Sequence, residues 1–409
     1  MTRQPKILVV CQHFWPEAFR INDICDFLVE KSCEVEVLCG LPNYPGGKLF
    51  EGYSLLRQRR QHRNGVEIHR ALEIPRGSNT NVRVFLNYIS FPLFSLLHIP
   101  RLLLKRYDKI VLYQLSPVMM SIAGIIVGKV KGVQTTMYVL DLWPENLFSV
   151  LKLKSRFWRA VATKVSHWHY RQVDKLVVLS EQMKAKLCTV TGISHDKIIV
   201  VPQACEKIYE VDMQDEELSQ RFAGKFVILF TGNISPAQSF LTIIEAAKSL
   251  RDAGFSDICW VIVGDGMSRA WLEAKVREEN LQPYFHFDGF KPLTEIPRYT
   301  TRADLLVGCL VSSDLLEATI PAKVMSYLAA GRPLVLAMDG EVRELINSKV
   351  QCGYAGPTED AQQLAENIRK VYSLSKQERD AMGARGRSYH LAHFERNLQL
   401  ERLYQFIMS

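Results

Sequence analysis

Short apolar runs that alternate with helical stretches, twice over, constrain this chain more than any other feature. Runs at residues 7–10, 34–39, 109–113, 135–140, 176–179 and 198–201 are rich in Val, Ile and Leu, and most lack a polar/apolar alternation. Strands read this way when helices cover both faces of a parallel sheet. The segments between them are long enough for crossover helices. After an acidic, strand-poor stretch at 206–220 the rhythm restarts, with runs at 226–230, 260–263, 285–287, 303–308 and 333–337. The expected fold class is α/β, with doubly wound domains at 1–205 and 206–390 and a C-terminal helix at 391–409 that packs back across them. A chain of 409 residues, 47% hydrophobic, is too long for one core and too apolar for disorder.

Doubly wound sheets bind ligands outside the carboxyl ends of their strands, so chemistry is expected on those loops and in a cleft between the domains. In the second domain, Phe-Thr-Gly-Asn-Ile-Ser-Pro-Ala-Gln-Ser-Phe at 230–240 sets Gly232 at a strand end, then a polar loop that opens a helix. Free backbone N–H groups and the helix dipole hold phosphate in such a place. Val-Gly-Asp-Gly at 263–266 is a second strand-end loop, where Gly264 allows close backbone approach. Ordinary turns would use the same residues. In Ile-Pro-Ala-Lys-Val-Met-Ser-Tyr-Leu-Ala-Ala-Gly-Arg-Pro at 320–333, Pro321 suits a first helical turn and Gly331 a helix end. Lys323 then lies near a positive helix terminus, where a diphosphate is one partner and open solvent the alternative.

In the first domain, Tyr-Val-Leu-Asp-Leu-Trp-Pro-Glu-Asn at 138–146 places Asp141 directly after a buried strand and Glu145 four residues later. The two form a carboxylate pair on a strand-end loop, placed to contact reacting groups. Helix capping is the alternative for Glu145. Residues 152–175 carry seven Lys and Arg with Trp158 and Trp168 and a single acid, Asp174. This pattern suits an anionic bilayer surface, and a solvated basic helix would look the same.

The formal net charge of +8 favours an anionic partner: nucleic acid, a lipid surface or a phosphorylated substrate. No helix-turn-helix or RNA-binding module is visible, so no nucleic-acid partner is expected. Nine cysteines lie singly, without CxxC spacing, and read as reduced cytosolic thiols. The apolar run at 7–10 is too short for a signal peptide. Two uncharged-looking stretches, near 84–100 and 110–128, are interrupted by Pro92 and Pro117 and are not read as membrane spans.

The run at 321–333, followed by Asp-Gly-Glu-Val-Arg-Glu-Leu-Ile at 339–346, resembles the "P-S-K-L-F-E-x-M-A-x-G-x-P … G-E-x-R-E-L" signature of glycosyltransferase family 4. Val-Gly-Asp-Gly at 263–266 and Asp-Gly-Phe at 288–290 follow in the family's order. The loops at 12–23 and 41–47, and the Asp-Leu-Trp-Pro-Glu run, resemble the WbuB-like subgroup that builds O-antigens and capsules. The resemblance implies the GT-B fold of two facing Rossmann-like domains with an interdomain cleft. It implies a donor site at Gly232, Asn233, Gln238, Gly264, Asp265 and Lys323, with Gly289 and Phe290 beside a base that is usually uracil. Asn233 and Gln238 stand where many members carry Arg and Lys, and Ser326 where the family has a ribose-binding Glu.

By the same resemblance, Glu17, Asn22 and Tyr44 meet the acceptor sugar, while a helix cap by Asn22 and loop packing by Tyr44 are the alternatives. Asp141 and Glu145 become the catalytic candidates. The implied reaction transfers an N-acetylated hexosamine or 6-deoxyhexosamine from a UDP-sugar to a lipid-diphosphate-linked saccharide, with retention. No metal and no other cofactor is expected. The implied location is the inner face of a bacterial cytoplasmic membrane, by peripheral contact. A nucleotide-sugar 2-epimerase and a non-catalytic nucleotide-sugar-binding or scaffold subunit are the competing readings.

Overall fold

The computed structural model describes residues 3–78, 80–144, 155–313 and 320–409. The chain divides into two compact units, Met1–Pro202 with Leu400–Ser409, and Gln203–Gln399.

The N-terminal unit holds eight strands: β1 (Lys6–Val10), β2 (Glu34–Cys39), β3 (Arg60–Arg63), β4 (Val66–Arg70), β5 (Lys109–Gln114), β6 (Thr135–Val139), β7 (Lys175–Val178) and β8 (Ile198–Val200). They lie in the order β3-β4-β2-β1-β5-β6-β7-β8, parallel except for the β3–β4 hairpin. Ile7 stands opposite Val35 on one side and Lys109 on the other, so the winding reverses at β1. β3 and β4 were not among the expected strands. Their turn is Asn64-Gly65, both at positive φ (49° and 80°), which is the two-residue hairpin geometry.

The uncharged stretch at 110–128 comprises most of β5 and a helix packed against the sheet. Helix Ile122–Lys131 lies so close to the sheet that a Cβ on Gly124 would come 2.3 Å from Leu112 Cδ2, and one on Gly128 2.4 Å from Thr135 Cγ2. The other stretch forms helix Asn81–Leu96, with Pro92 inside it, followed by helix Ile99–Leu104. Among the described residues no helix is long and apolar enough to cross a membrane. All nine cysteines are free thiols.

The C-terminal unit is a six-stranded parallel sheet of β9 (Phe226–Thr231), β10 (Ile258–Val263), β11 (Phe285–Gly289), β12 (Leu305–Cys309), β13 (Leu334–Ala337) and β14 (Gly353–Gly356), ordered β11-β10-β9-β12-β13-β14. β9 and β10 are buried along their whole length, as continuous apolar sequences in a two-sided sheet must be. The winding reverses between β9 and β12, which are neighbours in the sheet. β14 escaped the sequence reading because Gly-Tyr-Ala-Gly carries no β-branched residue.

The expected single helix at 391–409 is two. Helix Lys376–His393 ends where Phe394 turns away to bury its ring beside Tyr389, with centroids 5.6 Å apart. Helix Arg396–Met408 then returns to the N-terminal unit, where Leu400, Leu403 and Ile407 join the core of Ile21, Ile24 and Leu28. Burying three such side chains contributes about 1.5–3 kcal/mol each. Lys31–Glu401 (2.7 Å) and Lys175 Nζ donating to Phe406 O (2.8 Å) fix its register.

Candidate active site

At the switch point of the C-terminal sheet, three glycine loops are stitched side by side through the backbone. Gly232 N donates to Val263 O (2.9 Å), Gly264 N to Gly289 O (2.8 Å) and Ile234 N to Asp265 O (2.9 Å). The approach leaves no room for side chains: a Cβ on Gly264 would lie 1.9 Å from Gly232 O, and one on Gly266 2.4 Å from Asn233 Oδ1. Gly264 also has φ of +150°, which side chains rarely adopt. Tyr327, which the sequence did not single out, pins this shelf from below. Its buried hydroxyl accepts from Thr231 N (2.9 Å), one residue before Gly232.

Lys323 sits in the first turn of helix Ala322–Ala330, beside the shelf. Its Nζ donates to Gln238 Oε1 (2.5 Å), lies 3.5 Å from the centroid of the Phe230 ring, and would be 3.7 Å from a Cβ on Gly232. Among the described residues no carboxylate pairs with it, and burial lowers its pKa from 10.5 to about 7. A cation held at a helix N-terminus, with an amide oxygen as its hydrogen-bond acceptor among the described residues, is poised for an anion from outside.

The remaining donor candidates fall into two groups. Phe290 is 74% exposed beyond Gly289, and Asp265 is exposed and faces Arg269 at 3.6 Å. Arg269, also missed in the sequence, is held by Glu273 (2.8 Å) and lies against Gly289. Ser326, by contrast, is turned inward: it is 7% exposed and its hydroxyl donates to Ala322 O (3.2 Å), one turn back. The described geometry therefore does not present Ser326 to a ribose.

In the N-terminal unit the loops after β1, β2 and β4 meet through buried polar side chains. Glu17, expected to meet an acceptor, is 2% exposed, and its Oε1 accepts from Asn43 N (2.8 Å) and Tyr44 N (2.7 Å). It ties the β1 loop to the β2 loop. Asn22 accepts from Trp15 N (2.8 Å) and donates to Glu17 O (2.7 Å), so it braces the loop; it does not cap the helix Arg20–Glu30. Tyr44 is 39% exposed and is the accessible member of the three, its ring 5.3 Å from Phe19 and 5.5 Å from His13.

Residues that the sequence did not flag complete this floor. Glu73 accepts from Gln12 (2.8 Å), Asn43 (3.3 Å) and Asn87, and burial pushes its carboxyl up to about 7. Arg76 donates to Asn87 Oδ1 (3.2 Å) and reaches His13 Nε2 (3.4 Å). Because an arginine only donates, His13 Nε2 must accept, and its Nδ1–H faces Glu17 at 3.0 Å. Asp141, after β6, accepts from Ser116 Oγ (2.8 Å), which itself accepts from Trp143 Nε1 (2.8 Å). Glu145 lies outside the described residues, as do Lys152 and Lys154.

Two other features are set apart from these loops. Glu36, Glu67 and His69 bring ligand atoms within 4.8 Å of one another, but Arg101 (2.7 Å) and Lys105 (2.9 Å) already pair with Glu36. That makes it an ion-pair network bracing β2 and β4. A groove of about 550 Å³ beside β14 is lined by Arg343, Tyr354, Lys370 and Arg385 and by none of the shelf residues.

With that geometry in view, residues 18–204 match the Glycosyl transferase 4-like domain, and residues 213–389 match Glycosyl transferases group 1. The chain belongs to the family 4 glycosyltransferases. This glycosyltransferase is 24% identical over 389 residues to the putative colanic acid biosynthesis glycosyl transferase WcaI of Escherichia coli (strain K12), covering 91% of this chain and 93% of that one. It is 28% identical over 256 residues to the 2-deoxystreptamine glucosyltransferase of Streptomyces kanamyceticus, a match to 61% of this chain and 64% of that protein's length. Among solved structures, Alr3699/HepE of Anabaena in complex with UDP superposes with a TM-score of 0.71 at 14% identity, over 98% of this chain and 99% of that one. The fold of the glycosyltransferase is GT-B.

Proposed function

We propose that this glycosyltransferase moves a sugar from UDP to a lipid-diphosphate-linked saccharide during synthesis of a bacterial surface polysaccharide such as O-antigen or capsule, with retention and without a metal. The observation that carries the reading is Lys323, a buried ammonium without a carboxylate partner among the described residues, set against the glycine shelf at the switch point. UDP in the HepE complex supports the nucleotide, and the likeness to WcaI supports the polysaccharide. An N-acetylated hexosamine or 6-deoxyhexosamine is the donor sugar we assign.

In this reading the bond from the anomeric carbon to the β-phosphate oxygen breaks, and the acceptor hydroxyl oxygen bonds to that carbon. The hydroxyl proton passes to a phosphate oxygen of the departing UDP. Lys323 and the shelf N–H groups stabilise the charge that grows on the diphosphate, the main electrostatic task of such a site. Asp141 orients the acceptor sugar.

Peripheral attachment to an anionic membrane is supported by the surface of the N-terminal unit. Helix Asn81–Leu96 and the residues after it expose Val82, Phe85, Leu86, Leu93, Leu97 and Leu104, recurring every three or four residues or multiples of that spacing. Helix Arg156–Gln172 exposes Phe157 and Trp158 between Arg156 and Arg159, and Trp168 between Lys164 and Arg171. Neither helix contains an acid, and both lie near the segment 118–131. Such contact would hold the enzyme on the cytoplasmic face, where a lipid-linked acceptor is presented.

Calorimetry against UDP, GDP, ADP and dTDP, with and without magnesium, tests the donor assignment. Selective, magnesium-independent binding of UDP is expected, and binding of none of the four would overturn it. The amide side chains at Asn233 and Gln238 and the inward Ser326 favour a second reading, a nucleotide-sugar-binding subunit without turnover. Release of UDP from a UDP-sugar by the purified protein excludes that subunit.

A further inference from the structure

Arg76 has an unusual setting for a surface-loop arginine. Its guanidinium carbon lies 5.1 Å from the Tyr44 ring centroid and 5.4 Å from that of Tyr88, so two phenol rings hold it. Nε is fixed by Asn87 Oδ1 (3.2 Å), Nη2 faces His13 Nε2 (3.4 Å), and the backbone N of the same residue donates to Asn43 Oδ1 (3.3 Å). Loops after β1, β2 and β4 and the helix Asn81–Leu96 therefore all orient one side chain. The Tyr88 hydroxyl also interacts with the guanidinium, and among the described residues no carboxylate forms an ion pair with it. Arginine seldom stands rigid and unpaired without an anion to meet, because ordering its long side chain costs conformational entropy.

The nearby acids do not supply that anion. Glu17 is occupied by His13 and two backbone N–H groups, and Glu73 is enclosed by three amide side chains. Asp141 is reached through a chain of contacts: Tyr88 packs on Trp143 with centroids 6.2 Å apart, Trp143 donates to Ser116, and Ser116 to Asp141. Arg76 and the candidate catalytic carboxylate are thus parts of one braced surface at the carboxyl ends of β1, β4, β5 and β6. Tyr44, half open, forms its apolar edge, on which a sugar ring can stack.

We propose that Arg76 is the anion-recognising residue of the acceptor site, pairing its braced guanidinium with an acidic group of the acceptor; this rests on the acceptor-side reading of the N-terminal unit given above. A phosphate of the lipid diphosphate and a uronic carboxylate of the saccharide share the chemistry that the fork reads, a planar or near-planar pair of oxygens.

The test is titration of the full-length protein, saturated with UDP so that the Lys323 site is filled, with farnesyl diphosphate, with a glucuronate-terminated disaccharide and with its neutral glucose counterpart. Arg76→Gln is expected to weaken one of the two anionic probes at least tenfold while the neutral disaccharide, the UDP affinity and the melting temperature stay within twofold or 2 °C. Loss confined to farnesyl diphosphate identifies the phosphate as the group read, and loss confined to the glucuronate identifies the carboxylate. Arg76→Lys, which keeps the charge without the fork, should recover only part of the lost affinity. Equal binding of both anions by wild type and Arg76→Gln overturns the proposal, as does binding of neither anion by the wild type, or equal weakening of the neutral disaccharide. Absence of UDP binding by the wild type is a separate result that removes the donor assignment and leaves the comparison of anions, made without UDP, to decide Arg76.

Discussion

In the C-terminal unit the loops that follow β9, β10 and β11 meet backbone to backbone, whereas in the N-terminal unit the loops after β1, β2 and β4 add a layer of buried polar side chains to backbone contacts such as Gly40 N to Gln12 O (2.8 Å) and Gly77 N to Gly47 O (2.7 Å). Both sets stand at the switch point of a doubly wound sheet, yet one is glycine with a single lysine and the other a packed group of His13, Glu17, Asn43, Glu73, Arg76 and Asn87. In the proposed reading the difference follows from what each recognises. A diphosphate presents the same oxygens in every donor and is served by N–H groups and a cation. An acceptor varies, and variation is read by side chains that can be exchanged without rebuilding the backbone.

The largest effect that this contrast predicts is at Lys323. Replacing it with Ala should lower turnover about 10²- to 10³-fold, the scale on which one positioned charge donor stabilises a developing anion. Wild-type UDP affinity should also weaken as pH rises through 7. The free site loses its proton near that value, while bound diphosphate holds the proton to higher pH. Calorimetry in buffers of different ionisation enthalpy should show proton uptake on UDP binding at pH 8, and none in the Ala variant. A flat affinity between pH 6 and 9 would remove Lys323 from the diphosphate site.

Next in size is Asp141→Asn, expected to reduce turnover on the order of 10²-fold with UDP affinity unchanged. If the variant instead loses UDP binding, the division of labour between the units is wrong.

The same contrast explains what the sequence disclosed. The alternation of apolar runs was enough for two parallel α/β domains, because two-sided burial leaves a continuous Val/Ile/Leu signature in β1, β5, β9 and β10. Lys323, Gly232 and Gly264 were legible because a backbone site needs glycines and a cation at fixed places in contiguous runs. The floor of the N-terminal unit was not, since Glu73, Arg76 and Asn87 are scattered over a strand-end loop and a helix. Recognising them required β4, hidden in the polar run Val-Glu-Ile-His-Arg; the Asn64-Gly65 turn before it was the available signal. Glu17 and Asn22 were singled out by the resemblance of the loop after β1, but sequence cannot distinguish a carboxylate facing a ligand from one that receives two backbone N–H groups.

Glu73 sharpens the comparison from the side-chain end. Its carboxyl is raised from 4.5 to about 7 by burial, so between those values the folded protein holds a proton that the unfolded chain has released. Stability from this group is therefore present below the unfolded value, declines as pH climbs from there through 7, and is lower by roughly 3 kcal/mol at pH 8. Glu73→Gln should flatten that decline, raising the melting temperature at pH 8 relative to wild type and changing it little at pH 5. A variant that is less stable at both pH values would show that the amide cannot replace the carboxyl among Gln12, Asn43 and Asn87.

The smallest expected effect tests the backbone end. Tyr327→Phe removes the hydroxyl that accepts from Thr231 N, leaving a buried donor unpaired at a cost of about 1–2 kcal/mol. Because Thr231 immediately precedes Gly232, the loss should also loosen the shelf, and UDP affinity should fall severalfold with Lys323 still in place. A chemical-denaturation curve and a UDP titration on the same variant separate the two effects. If stability falls and affinity does not, the shelf is held by its own backbone hydrogen bonds, and the phenol only seals the core beneath it.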